Sequence, residues 1–428
     1  MLKNSPPPDP ERLTPRGRAF AYPDRGASGE PLPAAVLDER FPLEPDALKS
    51  RARAITGLDD FGPAPFDTPL ARLCASLRDE VDLNAGGRES AYGRIMNILI
   101  TRLRLQDLWR RHPEILKLPV RAPIFIVGLP RSGTTFLQWL LARDPSLRHA
   151  PFWELNFPLP DGDPAEAQPE PDPRIAKARG IIERLHAGAP GMASMHQLDA
   201  EEPEEELSLL ALGFSSMAFE WSFMVPGYVD WYRNTDHTAG YAYFRRVLQT
   251  LQWLRGGEQW VLKAPMHMEN LNALFATFPD ATIVQTHRDP VTATVSLTSL
   301  TCYGVRNYFD HPDPLRMGSH IASIVERLLG AICAYRDRHG GGAFIDIQFS
   351  ELMNDPVSAV RAIYAKCGKT LSPETERAMR TWIANSPRDK HGDHEYAAED
   401  FGIDPEERKR ALAFYLEPFG IDSARSGA

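Results

Sequence analysis

Short, largely apolar runs recur along the chain, each bounded by a turn and most followed by a helical pattern. Ile124-Phe125-Ile126-Val127 stops at Gly128, and Phe136, Leu137, Leu140 and Leu141 follow at helical spacing. Trp260-Val261-Leu262 leads into Lys263, and Thr282-Ile283-Val284 comes shortly before His287-Arg288. Ala343 to Ile347 is a fourth run, with Asp346 inside it. Runs this short, without polar alternation, suit strands buried on both faces of a parallel sheet. Alternation with helices predicts βαβ units, and hence an α/β fold with helices on both faces of the sheet.

The rest of the pattern divides the chain. Residues 1–44 form a Pro-rich arm, expected to be partly disordered or wrapped on the body. Residues 45–120 turn helical. Asp67-Thr68-Pro69 offers a helix start with a capping residue ahead of Pro, and Ser90 to Arg111 follows the helical repeat. Residues 121–428 hold the α/β domain, with a helical insert at about 174–256 behind the linker PLPDGDPAEAQPEPDP. Helices are expected near Asp355 to Cys367, Pro373 to Ala384 and Pro405 to Leu416. Leu207 to Val229 is the one stretch that invites a membrane reading. Glu220 and Pro226 within it argue instead for a buried helix of a large domain, since a carboxylate deep in lipid is costly.

Composition narrows the function. The 428 residues are 43% hydrophobic and 25% charged, enough for a large core and unlike a disordered or fibrous chain. Lys plus Arg total 48 against 57 Asp plus Glu, a net charge of −9, which argues against nucleic-acid binding by bulk charge. Any anion site must be local. Cys74, Cys302, Cys333 and Cys367 lie far apart without a C-x-x-C pair, and the opening stretch lacks the apolar run of a signal peptide. Both predict a reduced, cytoplasmic chain with no metal cage.

The sharpest local signal is Gly128-Leu129-Pro130-Arg131-Ser132-Gly133-Thr134-Thr135, set between a buried strand and a helix. Successive backbone N–H groups in such a turn, with the helix N-terminus behind them, form an anion cradle. The architecture expected is therefore a P-loop-like sheet. The ATP-binding version places Lys where this chain has Thr134, and here the charge sits at Arg131 instead. A second signal is His287-Arg288-Asp289-Pro290, with Ser296 about two helical turns on. A strand-end Arg and a Ser on the next helix can hold a second phosphate.

In order and chemistry, GLPRSGTTFL, WVLKAPMHMENL, HRDPVTATVS and FSELMNDP resemble the bacterial sulfotransferase family. The loop is similar to that of tyrosylprotein sulfotransferases, whereas cytosolic arylsulfotransferases carry Lys in place of Arg131. The resemblance covers about Ile124 to Gly420. It implies the donor 3′-phosphoadenosine 5′-phosphosulfate, with no metal expected. Arg131, Ser132, Gly133, Thr134 and Thr135 would hold the 5′-phosphosulfate, and Arg288 and Ser296 the 3′-phosphate. Lys390, His391 and Gly392, with Arg388 just ahead, look like the family's C-terminal donor-clamping loop. Lys263 resembles the family's lysine on the bridging oxygen.

Sulfuryl transfer to an alcohol also needs a base for the acceptor proton. Glu154, in Ala150-Pro151-Phe152-Trp153-Glu154, lies where tyrosylprotein sulfotransferases place a catalytic glutamate, and its aromatic neighbours could raise its pKa. His267, four residues after Lys263, is the alternative, since cytosolic relatives use a histidine close behind that lysine. Glu154 is preferred. The acidic cluster Glu201 to Glu206 reads as the charged first turn of a helix, although it could also meet a cationic substrate. Tyr228, Trp231 and Tyr232 suit either an acceptor wall or core packing. The expected function is sulfuryl transfer to a hydroxyl of a small molecule or glycan. A P-loop ATP-dependent kinase, with Asp346 as its only metal-binding contender, and a non-catalytic nucleotide-binding protein are the alternatives.

Overall fold

A computed structural model describes residues 3, 5–23, 34–62, 65–166, 168–188, 195–386 and 396–421. Its centre is a sheet of strands β1 (Ile124–Val127), β2 (Leu147–Arg148), β3 (Gln259–Lys263), β4 (Thr282–His287) and β5 (Phe344–Gln348). The strands pair in parallel in the order β2-β3-β1-β4-β5. Four of them are the apolar runs. β2 is a two-residue strand on Gln259 and Trp260, too short to leave a hydrophobic pattern.

Alternate residues of each strand enter different cores, as the pleat requires. Phe125 and Val127 join Trp260, Leu262 and Ile283 on one face. Ile124 and Ile126 join Val261 and Val284 on the other, beneath Leu137, Leu140, Val360 and Ile363. The first core continues into the helical extension through Leu70, Leu73, Leu99 and Leu103. Each such side chain contributes about 1.5–3 kcal/mol on burial, so the extension and the α/β body stabilise one another.

Local signals set the helix boundaries unevenly. The long front helix spans Ala85–Arg111, starting ahead of the expected Ser90, because Asn84 caps it by accepting from Gly87 N at 2.8 Å. The expected cap near Asp67 is not used. The helix Asp67–Asp79 has Phe66 at its cap position, and the Asp67 carboxylate accepts from Lys49 Nζ at 3.1 Å. On the arm, Thr14 Oγ1 donates to Asp400 Oδ1 at 2.6 Å and Arg16 Nη1 to Asp400 Oδ2 at 3.1 Å, tying it to the far end of the chain.

The apolar stretch from Leu207 is three helices rather than one: Leu207–Ala211, Ala218–Phe223 and Pro226–Arg233. Met224 adopts a left-handed conformation (φ 54°) just ahead of Pro226, which ends the second of them. Glu220 is fully buried and accepts from Arg327 at 2.8 Å and Arg233 at 3.2 Å. Among the described residues no helix is long and apolar enough to cross a membrane. Strand β1 has β3 on one side and β4 on the other, so connections leave it in both directions. Ligands in open parallel sheets bind at the carboxyl ends of the strands at such a switch point.

Candidate active site

The loop after β1 is shaped by unusual backbone angles. Gly128 has φ 149°, Arg131 φ 74° and Gly133 φ 85°, so two glycines and one strained arginine turn the chain from strand into the helix Thr134–Leu141. A Cβ at Gly128 would lie 2.3 Å from Thr286 Oγ1 on β4, so glycine is required there by approach as well as by angle. The buried Ser132 hydroxyl meets Thr286 Oγ1 at 2.7 Å and donates to Leu129 O at 2.6 Å, closing the turn on itself.

Three residues assigned to the donor from sequence are brought together here. Arg288 Nη1 donates to the Arg131 carbonyl at 2.5 Å, and Arg131 Nε donates to Ser296 Oγ at 3.2 Å. The Arg288 guanidinium stacks 4.4 Å over the Phe349 ring, and partial burial lowers its pKa. Among the described residues neither guanidinium meets a carboxylate at ion-pair distance. Two cations so held at a strand-end loop have the chemistry to receive an anion. Asp289 caps the helix Pro290–Gly304, accepting from Val291 N and Thr292 N, which fixes Ser296 on its next turns.

Lys263, at the end of β3, is buried and reaches the same loop. Its Nζ donates to Glu205 Oε1 at 2.8 Å and to Thr135 Oγ1 at 3.3 Å, and lies 3.6 Å from Glu204 Oε1. Burial alone would lower its pKa, but Glu205 and Glu204 outweigh burial and raise it, so the lysine stays charged. His196 Nε2 lies 3.3 Å from Glu204 Oε2. Burial pushes the imidazole down and Glu204 more than reverses it, while Lys263 and His196 together hold Glu204 well below the usual carboxylate range despite burial.

These acids do not form the first turn of a helix, contrary to the reading from sequence. Helical structure starts only at Leu207. Ahead of it the backbone runs antiparallel to residues 151–153, with Phe152 N donating to Glu202 O at 2.9 Å and Trp153 N to Ala200 O at 3.0 Å. In this extended segment Glu201 and Glu202 pair with Arg179 and Arg143, while Glu204, Glu205 and Glu206 turn to His196, Lys263 and His267.

Glu154 and His267 occupy closed positions. Glu154 is fully buried, with both carboxylate oxygens 2.7 Å from Arg148 Nη2 and Oε2 3.3 Å from Arg255 Nη1. His267 is also fully buried, its Nε2 2.6 Å from Glu206 Oε1 and its Nδ1 2.6 Å from Tyr241 OH. Tyr228 and Tyr232 are core residues, with Tyr228 OH donating to Phe214 O at 2.8 Å. Asp346 accepts from Arg336 through both oxygens and meets His287 Nε2 at 2.9 Å, contacts that hold it well below the usual carboxylate range although burial opposes them. The loop with Arg388, Lys390, His391 and Gly392 lies outside the described residues. Among the described residues no cluster of His, Cys, Asp or Glu could hold a metal ion.

A cavity of about 330 Å³ opens on the loop. Arg131, Thr134 and Thr135 contribute to its lining, as do His196 and Glu205; Glu154 and His267 do not. The sequence signal for Glu205 was the run of three acids, Glu204 to Glu206, immediately before a buried helix. Nothing local marks His196, whose role comes from a contact with Glu204 across the insert.

Residues 123–373 match the sulfotransferase family. The fold is similar to sulfotransferase STF1 from Mycobacterium tuberculosis H37Rv, with 31% identity over 86% of this chain and 98% of that one, at a TM-score of 0.74. Sulfotransferase STF9 from Mycobacterium avium is similar at 28% identity over 88% of this chain and 97% of that one, with a TM-score of 0.78. No curated protein matches the sequence. With more than half its length matched to one family, and a phosphate-type loop, a strand-end lysine and a paired arginine in place, the chain belongs to the sulfotransferase family.

Proposed function

We propose that the protein transfers a sulfuryl group from 3′-phosphoadenosine 5′-phosphosulfate to the hydroxyl of a small acceptor, in a cytoplasmic setting, with Glu205 as the general base. One observation carries the reading: buried Lys263 reaches both Thr135 and Glu205 at the mouth of the loop, and those two line the cavity. The loop N–H groups with Ser132, Gly133, Thr134 and Thr135 would hold the 5′-phosphosulfate. Arg288 and Ser296, joined through Arg131, suit the 3′-phosphate that distinguishes this donor from ATP.

In the transfer, the acceptor oxygen forms a bond to sulfur as the bond from sulfur to the bridging phosphate oxygen breaks. The acceptor proton passes to the Glu205 carboxylate, and 3′-phosphoadenosine 5′-phosphate leaves. Lys263, kept cationic by its acidic neighbours, stabilises charge building on the departing oxygen. Glu204 raises the His196 pKa against burial, and in its protonated form this imidazole adds positive potential beside the group in flight. Glu154 is better suited to hold Arg148 and Arg255 than to take a proton, and His267 to fix Glu206 against β3. Both are assigned positioning roles.

A P-loop kinase fits less well. Asp346 is committed to Arg336 and His287, two strands from β1, and Thr134 stands where the kinase-type loop needs Lys. A non-catalytic scaffold leaves Glu205 on the cavity wall, paired with buried Lys263, without a purpose. Incubation with donor and acceptor, followed by mass spectrometry, tests the proposal. An acceptor heavier by one sulfuryl group supports it. Transfer of a phosphoryl group from ATP overturns it.

A further inference from the structure

Beyond the loop and its acids, the cavity is lined by residues of one chemical kind. Leu185, Trp221, Leu300, Val305 and Tyr308 make up most of that part. Ser222, Thr301 and Asn307 are its polar side chains, with the Tyr308 hydroxyl beside them. Thr301 Oγ1 donates to Leu297 O at 2.9 Å within its own helix, and Ser222 Oγ already accepts from Arg94 Nη1 at 2.9 Å. Among the described residues, no lining side chain other than Arg131, His196 and Glu205 is charged.

Resting on the transferase reading above, we infer that the acceptor is a small, uncharged, apolar alcohol or phenol, and not a glycan. A saccharide brings a hydroxyl on nearly every carbon, and each one taken from water without a partner opposes binding. This wall offers partners at Ser222, Asn307 and Tyr308 and carbon over most of the rest. An anionic acceptor would find Glu205 and no free cation on the apolar part. Size points the same way, since about 330 Å³ is near the lower end of ligand pockets, which run from about 300 to 1,000 Å³, and the transferred group must share it.

The wall is rigidly backed by the N-terminal extension. Asn84 N donates to Tyr308 O at 2.9 Å, and a Cβ at Gly87 would lie 2.5 Å from the same oxygen, so the helix Ala85–Arg111 presses against Tyr308 at backbone contact distance. The Tyr308 ring packs 5.2 Å from Phe223. A helix supported by the shared core thus fixes one side of the acceptor space.

The test is calorimetry on the full chain saturated with 3′-phosphoadenosine 5′-phosphate, titrated with 2-naphthol and, separately, with trehalose. Tight 2-naphthol binding with at least tenfold preference over trehalose is expected. Leu300→Asp and, as a second variant, Tyr308→Ala are each expected to weaken 2-naphthol at least tenfold and the nucleotide less than twofold, the latter also reporting that the variant is folded. Failure of 2-naphthol to bind the nucleotide-loaded protein overturns the inference, as does a preference for trehalose or indifference of both variants. Failure of the nucleotide itself to bind overturns the transferase reading instead.

Discussion

Lys263 Nζ lies 2.8 Å from Glu205 Oε1 and 3.3 Å from Thr135 Oγ1, joining the end of β3, the extended acidic segment and the anion loop at one point. The pair is buried on the lysine side and open to the cavity on the carboxylate side. A carboxylate so placed can take a proton from an acceptor while its partner faces the leaving group.

Exchange of Glu205 for Gln keeps the shape and removes the proton acceptor. Single-turnover rates on a confirmed acceptor are expected to fall by about 10²–10⁴-fold, the usual worth of general-base catalysis, with nucleotide affinity little changed. Glu154→Gln separates the two carboxylates. It leaves Arg148 and Arg255 without their shared buried partner and is expected to cost about 3–5 kcal/mol of stability in denaturant unfolding. If Glu154→Gln abolishes the chemical step at unchanged stability while Glu205→Gln does not, the base has been misassigned.

Gly128 is a stringent test of the loop. An alanine there sets a Cβ 2.3 Å from Thr286 Oγ1 and 2.9 Å from Thr286 O, at a φ of 149°. Strain of about 1–3 kcal/mol is expected. Gly128→Ala should lower nucleotide affinity tenfold or more in calorimetry, whereas Gly330→Ala, with open space around it, should leave it unaltered.

Acid sensitivity has a specific source. Burial first, then Arg148, push the His149 imidazole down from 6.5 to about 4, and its Nδ1 is buried without a hydrogen-bond partner. Between those pH values the unfolded chain binds a proton that the folded chain does not, so this group's stability contribution is complete above about pH 6.5 and is lost as pH falls toward 4. Wild-type Tm should therefore drop over that window more steeply than that of His149→Gln. Parallel Tm profiles would refute the assignment.

Much of this was legible in the sequence, for identifiable reasons. β1, β3 and β4 are buried on both faces, so their apolar runs stand out, while β5 at the sheet edge carries the partly exposed Asp346 within its run. The loop was readable because its glycines and hydroxyls are consecutive. Arg288 and Ser296, singled out by their spacing on one strand–helix unit, do meet through Arg131. The base proposed above, Glu205, carries a weaker local signal than Glu154. Glu154 follows the loop closely in sequence, but Arg148 on the two-residue β2 and Arg255 on a distant helix claim it. Glu205 reaches the site only because the segment before Leu207 lies along residues 151–153, a pairing between stretches some fifty residues apart that no local pattern encodes. The long apolar stretch kept its burial but not its continuity, since left-handed residues at Phe214 and Met224 lie in its two breaks.

The central claim is that the loop, Arg288 and Ser296 recognise a nucleotide carrying a 3′-phosphate, and binding calorimetry measures this most directly. The wild-type protein should bind 3′-phosphoadenosine 5′-phosphate at least tenfold more tightly than AMP or ATP–Mg²⁺. Arg288→Ala should lose about 1.5–3 kcal/mol toward the bisphosphate while changing AMP binding little. Tighter binding of ATP–Mg²⁺, or equal loss toward both nucleotides in the variant, would contradict the account.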